Sequence, residues 1–257
     1  MLIDTHSHLY LKQFDSDRDE MLKRAQDAGI HKILLPNIDI ESIAGMNAMA
    51  DTYPNLCYPM MGLHPCDVKA DFESVLEKIH SEFNRRKYIA VGEIGVDMYW
   101  DKTTLDIQQK AFRIQVQWAK ELKLPIVIHA RDSFDELFEL MDELHDENLT
   151  GVFHCFTGNA YQAKKIMGYS GFLMGIGGVI TYPKSDLGEV VKDIPMEYLV
   201  LETDSPFLPP VPYRGKRNES GYMRIVAEKL AQCKGISLEE VARITTANAN
   251  KLFNLAH

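Results

Sequence analysis

The sequence predicts an α/β fold, a (β/α)8 TIM barrel in a single domain spanning residues 1–257, on three observations. Eight short apolar runs recur along the chain, longer amphipathic stretches separate most of them, and 257 residues is a normal length for one such barrel. No low-complexity segment, Gly/Ser linker or short repeat divides the chain.

In chain order the runs are LID (2–4), KILLP (32–36), CYPMMG (57–62), YIAVG (88–92), PIVIH (125–129), GVFH (151–154), GFLMGI (171–176) and YLVLE (198–202). Apolar runs of three to six residues bounded by polar or turn residues suit the buried strands of a parallel sheet. The clearest helix is TTLDIQQKAFRIQVQWAKELK (103–123). There Leu105, Ala111, Phe112, Ile114, Trp118, Ala119 and Leu122 mostly follow a three-to-four spacing, with charges opposite. SDRDEMLKRAQDAG (16–29) ends at Gly29, a usual helix stop, and SFDELFELMDEL (133–144) opens on a serine, a usual start. An open doubly wound sheet is the alternative. No GxGxxG follows the first run, which weakens its dinucleotide-binding version.

Composition is that of a globular protein, with 46% hydrophobic and 25% charged residues. No apolar run approaches the roughly 20 residues of a membrane-spanning helix. The opening MLIDTHSHL shows no basic region followed by an apolar one, so no secretory signal is expected. Cys57, Cys66, Cys155 and Cys233 are scattered without a CxxC pair and read as reduced thiols of a cytoplasmic protein. A net charge of −9 argues against wrapping duplex DNA, which calls for a basic footprint. It leaves room for a site that grips a few phosphates through bound metal ions.

Chemistry in such a barrel sits where strands end and βα loops begin. His6 and His8 follow the first run, His64 the third, Glu93 the fourth, His129 the fifth, His154 the sixth, and Glu202 and Asp204 the eighth. In IDTHSHL a strand would place His6 and His8 on one face, with Ser7 as the spacer. They either face water at a polar strand end or grip one cation. Any one of these histidines, taken singly, reads better as a satisfied core or surface residue. The set favours a metal, since five of the nine histidines sort to strand ends while His31, His80, His145 and His257 do not. Crowded imidazoles and carboxylates at one barrel mouth need a compensating cation. Mixed nitrogen and oxygen donors suit zinc, manganese, iron or similar ions. Six potential ligands exceed one tetrahedral site, so two ions bridged by a carboxylate is the economical reading. Cys155, directly after His154, is expected on the opposite face, in packing.

With these residues assembled, the sequence resembles the TatD family of metal-dependent deoxyribonucleases, within the amidohydrolase-like TIM-barrel hydrolases. The resemblance runs nearly end to end through IDTHSHL, GLHP, AVGEIGVD, ELKLPIVIHAR, GVFHCFTG, LETDSPFL, PYRGKRN and TTANANKLF. HxH alone is shared by many metallohydrolases, whereas GEIG, IHAR, HCFTG and ETDSP together are specific. The resemblance implies that His6, His8 and Asp204 hold one divalent ion with Glu93. Glu93 then bridges to a second ion held by His129 and His154, the ions being Mg, Mn or Zn. It casts Glu93 and Asp204 as catalytic, Asp204 as acceptor of a proton from the attacking water. His64, Arg131 and the cluster Arg214, Lys216 and Arg217 are placed to meet phosphate, or the cluster simply faces water as charge runs do. Related phosphotriesterase-like and dihydroorotase-like enzymes bridge their metals with a carboxylated lysine; the fourth run offers none, and Glu93 takes that place. Two positions depart from the family's habit: Val96 where leucine is common, and Ser220-Gly221 where Pro-Ala is common.

The implied function is a metal-dependent hydrolase, a TatD-type deoxyribonuclease trimming the 3′ ends of single-stranded DNA or RNA. Tyr99, Trp100 and Phe207 would stack on bases or simply pack the barrel mouth. The same centre serves an alternative, an ester or amide hydrolase such as a deacylase of aminoacyl-tRNA or of a small molecule. A non-catalytic metal-stabilised binding protein is disfavoured, since structural sites close with four ligands and need no second ion. No membrane partner is expected. The sequence does not fix an oligomeric state, and a monomer suffices.

Overall fold

A computed structural model describes residues 1–255. His257 lies outside the described residues. Eight parallel strands follow in chain order: β1 (Leu2–Asp4), β2 (Ile30–Pro36), β3 (Cys57–Met60), β4 (Val91–Asp97), β5 (Ile126–Arg131), β6 (Gly151–Phe153), β7 (Phe172–Ile176) and β8 (Leu199–Leu201). Regular pairing joins β1 to β3 and β4 to β8. Parallel bridges at Met61–Val91 and Ser7–Ser205 join the two arcs and close the barrel. Around it run α1 (Arg18–Asp27), α2 (Ser42–Thr52), α3 (Phe72–Glu82), α4 (Leu105–Leu122), α5 (Phe134–Leu144), α6 (Ala160–Met167), the short α7 (Leu187–Val190), α8 (Met223–Lys234) and α9 (Leu238–Phe253). None of these helices is long and apolar enough to cross a membrane.

Side chains alternate along each strand, and the two faces feed two cores. Ile3, Leu34, Met60, Ala90, Val127, Val152 and Val200 form one cluster, which fills the barrel and is plugged by Ala249, Phe253 and Leu255 of the α9 end. Ile33, Leu35, Ile94, Val96 and Ile128 face outward into a larger cluster with the helices. On α4 the buried face is Ala111, Phe112, Val116, Trp118 and Ala119. Ile114 and Leu122, expected there, are exposed.

Two buried glutamines complete that face, and they position the mouth. Gln115 Oε1 accepts the N–H of Leu63 at 2.7 Å, beside His64. Gln108 accepts the N–H of Asp97 at 2.8 Å and donates to its carbonyl at 3.1 Å. A buried amide with both ends satisfied in this way fixes backbone at little cost.

The fourth strand departs from expectation. It runs to Asp97 rather than ending at Gly92, so Glu93 lies within it. Glycine is scarce in strands and hid the continuation. Here it is required: Gly95 has φ +153°, and a Cβ on it would lie 2.1 Å from the carbonyl oxygen of His129. Its absence lets β4 lie close against β5. The four cysteines are unpaired.

Candidate metal centre

The barrel mouth gathers the polar residues around one carboxylate. β1 ends at Asp4, yet the chain continues extended: His6 O accepts from Asp204 N at 2.9 Å and His8 N donates to Ser205 O at 2.7 Å. The alternation therefore persists past the strand, and both imidazoles reach Glu93. His6 Nε2 lies 3.0 Å and His8 Nε2 3.6 Å from Glu93 Oε2. Glu93 Oε1 faces His129 Nδ1 at 2.7 Å, His154 Nε2 at 2.7 Å and His64 Nε2 at 3.3 Å. Asp204 Oδ1 stands 3.6 Å from His8 Nε2 and 3.8 Å from His6 Nε2. The rings of His6 and His154 stack at 3.8 Å.

Hydrogen bonds on the far side of the His8, His129 and His64 rings decide which nitrogen faces inward. Tyr10 donates its hydroxyl to Pro36 O at 2.6 Å, so toward His8 Nδ1, at 3.1 Å, it accepts. His8 thereby keeps its hydrogen on Nδ1 and turns the Nε2 lone pair to the centre. His129 donates Nε2–H to Asp97 Oδ2 at 2.9 Å, which leaves a lone pair on Nδ1. His64 is the reverse case. Its Nδ1 accepts the N–H of Cys66 at 3.1 Å, so its hydrogen sits on Nε2 and points at Glu93.

This arrangement fits a cation. Neutral His129 turns a lone pair onto a carboxylate oxygen 2.7 Å away, a contact that needs positive charge between the two atoms, supplied by a proton or a metal ion. His6 Nδ1, His154 Nδ1 and Glu202 Oε2 are buried without a hydrogen-bond partner among the described residues. Three donor groups have ligand atoms within 4.8 Å of one another: His6, His8 and Glu93; His6, His154 and Asp204; His64, Glu93 and His129. Nitrogen and carboxylate oxygen without thiolate is a donor set for a divalent ion of intermediate hardness. Burial works against charge on Glu93, yet His154, His64, His6 and the His129 hydrogen bond hold its carboxyl well below the usual range. Burial likewise opposes charge on His154, which Glu93 and Glu202 hold well above the ordinary histidine value.

Several neighbours have partners that the sequence reading did not assign. Asp97 serves two masters, taking His129 on one oxygen and the N–H groups of Tyr99 (2.9 Å) and Trp100 (3.0 Å) on the other. Its place in GEIGVD, an even four residues after Glu93 on one strand, was the available signal. Glu202 lies over Gly175, where a Cβ would come within 2.0 Å of Oε2, and its other oxygen accepts from Cys155 N. Asn218 donates to Thr203 O and Phe207 O, each at 2.7 Å, and so ties down the turn carrying Asp204, whose φ is +56°. Ser220, one of the unusual positions, donates to Asp4 Oδ2 at 2.6 Å.

Two expectations change. Cys155 does not face away: it lies past the end of β6 with φ +47°, where strand alternation no longer applies. Burial, then Asp204, Glu202 and Glu93 nearby, push its thiol up. Arg217 is not at the donors. Its guanidinium grips Asp17 at 2.6 and 2.8 Å, next to α1, and covers the ring of Phe14 at 4.5 Å. Arg214 and Lys216 are exposed, with Arg214 stacked 3.8 Å over Tyr182. Arg131 lies 3.9 Å over Tyr99. Neither Arg131 nor Arg214 has a carboxylate partner among the described residues.

Residues 3–254 match the family model described as TatD related DNase. The uncharacterized metal-dependent hydrolase YabD of Bacillus subtilis (strain 168) is 40% identical over 256 residues, covering 99% of this chain and 100% of that protein. The 3'-5' ssDNA/RNA exonuclease TatD of Pectobacterium atrosepticum is 29% identical over 261 residues, covering 99% and 100%. Among solved structures, YjjV, a TatD homolog from Escherichia coli K12, superposes with a TM-score of 0.92 at 33% identity and covers 98% of each chain.

Proposed function

The chain belongs to the TatD related DNase family of metal-dependent hydrolases, and on that premise we propose that it cleaves phosphodiester bonds at the ends of single-stranded DNA or RNA. A 3′-5′ direction follows the relative named for that activity. The observation that carries this reading is the convergence of five imidazoles on Glu93, with Asp204 beside His6 and His8 and two arginines without carboxylate partners among the described residues following the same ring of strands.

His6, His8, Glu93 and Asp204 would hold one ion, and Glu93, His129 and His154 a second. Ions bound there supply a water of lowered pKa and positive charge against the ester oxygens. Asp204, turned toward His6 and His8, would be the residue to accept a proton from the attacking water. His64 carries its hydrogen on the nitrogen that faces the centre, which suits a donor to a phosphate oxygen better than a metal ligand. Arg131 and Arg214 bring fixed positive charge to the strand's phosphates.

The test is cleavage of end-labelled single-stranded oligonucleotide in manganese or magnesium. Cleavage abolished by EDTA and reduced at least about 1,000-fold in Glu93→Gln is expected, as for loss of a group whose partners act as a unit. Absence of EDTA-sensitive cleavage, or equal cleavage by the variant, overturns the reading. Turnover of acyl esters with none of phosphodiesters would replace it by the deacylase alternative.

A further inference from the structure

Just past β4 the chain leaves two aromatic rings in water: Tyr99 is 53% and Trp100 69% exposed. They meet edge to face at 5.0 Å. Their position is fixed from below, since both backbone N–H groups end on the Asp97 carboxylate that also holds His129. Met98 N donates to Arg131 O at 2.9 Å, which ties the same turn to β5. The Arg131 guanidinium lies 3.9 Å from the Tyr99 ring centre and 5.5 Å from that of Trp100. It makes no hydrogen bond or ion pair among the described residues. A stacked guanidinium keeps its N–H edge free, and that edge matches a phosphate. On the β8 side, Phe207 is 47% exposed and lies 6.0 Å from the His8 ring.

Packing does not explain rings this exposed, while a planar apolar ligand beside an anion does. We propose that Tyr99, Trp100 and Arg131 form a subsite for one unpaired nucleobase and its adjoining phosphate, next to the bond that is cleaved. The proposal rests on the phosphodiesterase reading and adds what selects the strand. Every base has a π-face, so stacking tolerates any sequence. A base inside a duplex has both faces covered, so the subsite favours ends that are single-stranded or frayed. Asp97 links this subsite to the donor cluster, so a base seated on the rings is held at a fixed distance from His129.

The test compares two fluorescein-labelled single strands whose terminal linkages are blocked as phosphorothioates, one with ordinary bases and one with abasic nucleotides at both ends. The as-purified full-length protein is titrated by fluorescence anisotropy. Wild type is expected to bind the base-bearing strand about 5- to 100-fold more tightly, the range for stacking one base. Trp100→Ala is expected to bring that ratio to about 1, and Trp100→Phe to restore most of it. Equal affinity of wild type for the two strands, or an unchanged ratio in Trp100→Ala, overturns the subsite. So does a protein whose Trp100→Ala variant loses self-association while keeping strand discrimination, since the rings would then serve a second copy of the chain. Cleavage of the unmodified strand is followed in parallel. Base-dependent binding without cleavage keeps the subsite and removes the nuclease; cleavage without base dependence does the opposite.

Discussion

Asp97→Asn keeps the shape of a buried side chain and exchanges one accepting oxygen for a donating amide. In the wild type, Oδ1 receives the N–H groups of Tyr99 and Trp100 at 2.9 and 3.0 Å, and Oδ2 receives His129 Nε2–H at 2.9 Å. The single oxygen of asparagine can keep both backbone donors. Its NH2 then meets the imidazole N–H, donor against donor. Either that clash leaves a buried donor unpaired, at about 1–3 kcal/mol, or the hydrogen moves to Nδ1. That nitrogen faces Glu93 at 2.7 Å, and with a hydrogen on it His129 can no longer ligate. Losing the outer partner of a metal-bound histidine weakens affinity about 10- to 100-fold, or about 1.4–2.8 kcal/mol at 1.4 kcal/mol per tenfold. The two figures overlap, so a loss of that size is expected in competition with a chromophoric chelator for manganese or zinc. Thermal unfolding of the chelator-treated proteins checks that the fold survives. An affinity for metal within about threefold of wild type would refute the assignment of His129 Nδ1 as the ligating atom.

Arg217→Ala and Arg131→Ala separate the two basic residues. Arg217→Ala loses the two-point pair with Asp17 and the cover over Phe14, about 1 kcal/mol at this partly exposed site. That lowers Tm by about 2–4 °C by calorimetry, with KM for oligonucleotide unchanged; Arg131→Ala raises KM and leaves Tm alone. The Arg217 hydrogen bond holds the Asp17 carboxyl well below its ordinary value. A depressed carboxyl stabilises fully above the unfolded value near 4 and loses that contribution as pH falls below it. The Tm gap between wild type and Arg217→Ala therefore narrows progressively as pH falls below about 4; a constant gap contradicts the pairing. Asn218→Ala strips Thr203 O and Phe207 O of their donors, so about 2 kcal/mol is lost in urea unfolding, about 1 per bond. It also lowers kcat more than KM through the turn carrying Asp204; an unchanged kcat makes Asn218 a structural residue alone.

The sequence made the barrel and the inner donors legible because both depend on local pattern. Strand-end position is a local property: His6, His8, His154 and Asp204 lie one to a few residues past a strand, and His129 lies near the end of β5. What resisted reading depended on partners far along the chain. Arg217 belongs with Asp17, 200 residues away, and a run of charge carries no mark of such a partner. Cys155 was placed by an alternation that its left-handed backbone interrupts. Asp97 went unremarked in the sequence, and only the folded register puts its carboxylate against His129. His64 was read as a phosphate contact from its motif. Its tautomer, set by the Cys66 N–H, supports that role from an independent direction, although the ring lies among the donors.

Charge explains why the mouth is built this way. A chain of net −9 repels a polyanion at a distance, and Asp4, Glu93, Asp97, Glu202 and Asp204 place carboxylates at the end where a strand would enter. Lysines at that end would draw polyanions regardless of whether the centre were loaded. The barrel instead surrounds Glu93 with neutral-capable imidazoles, whose outer hydrogen bonds aim lone pairs inward at His8 and His129. Positive charge at the centre comes from an imidazolium such as His154, or from ions in its place, while Arg131 and Arg214, free of carboxylates among the described residues, lie on Tyr99 and Tyr182 rather than over Glu93. On the proposed phosphodiesterase reading, attraction for phosphate and the capacity to hydrolyse it would come from the same bound charge.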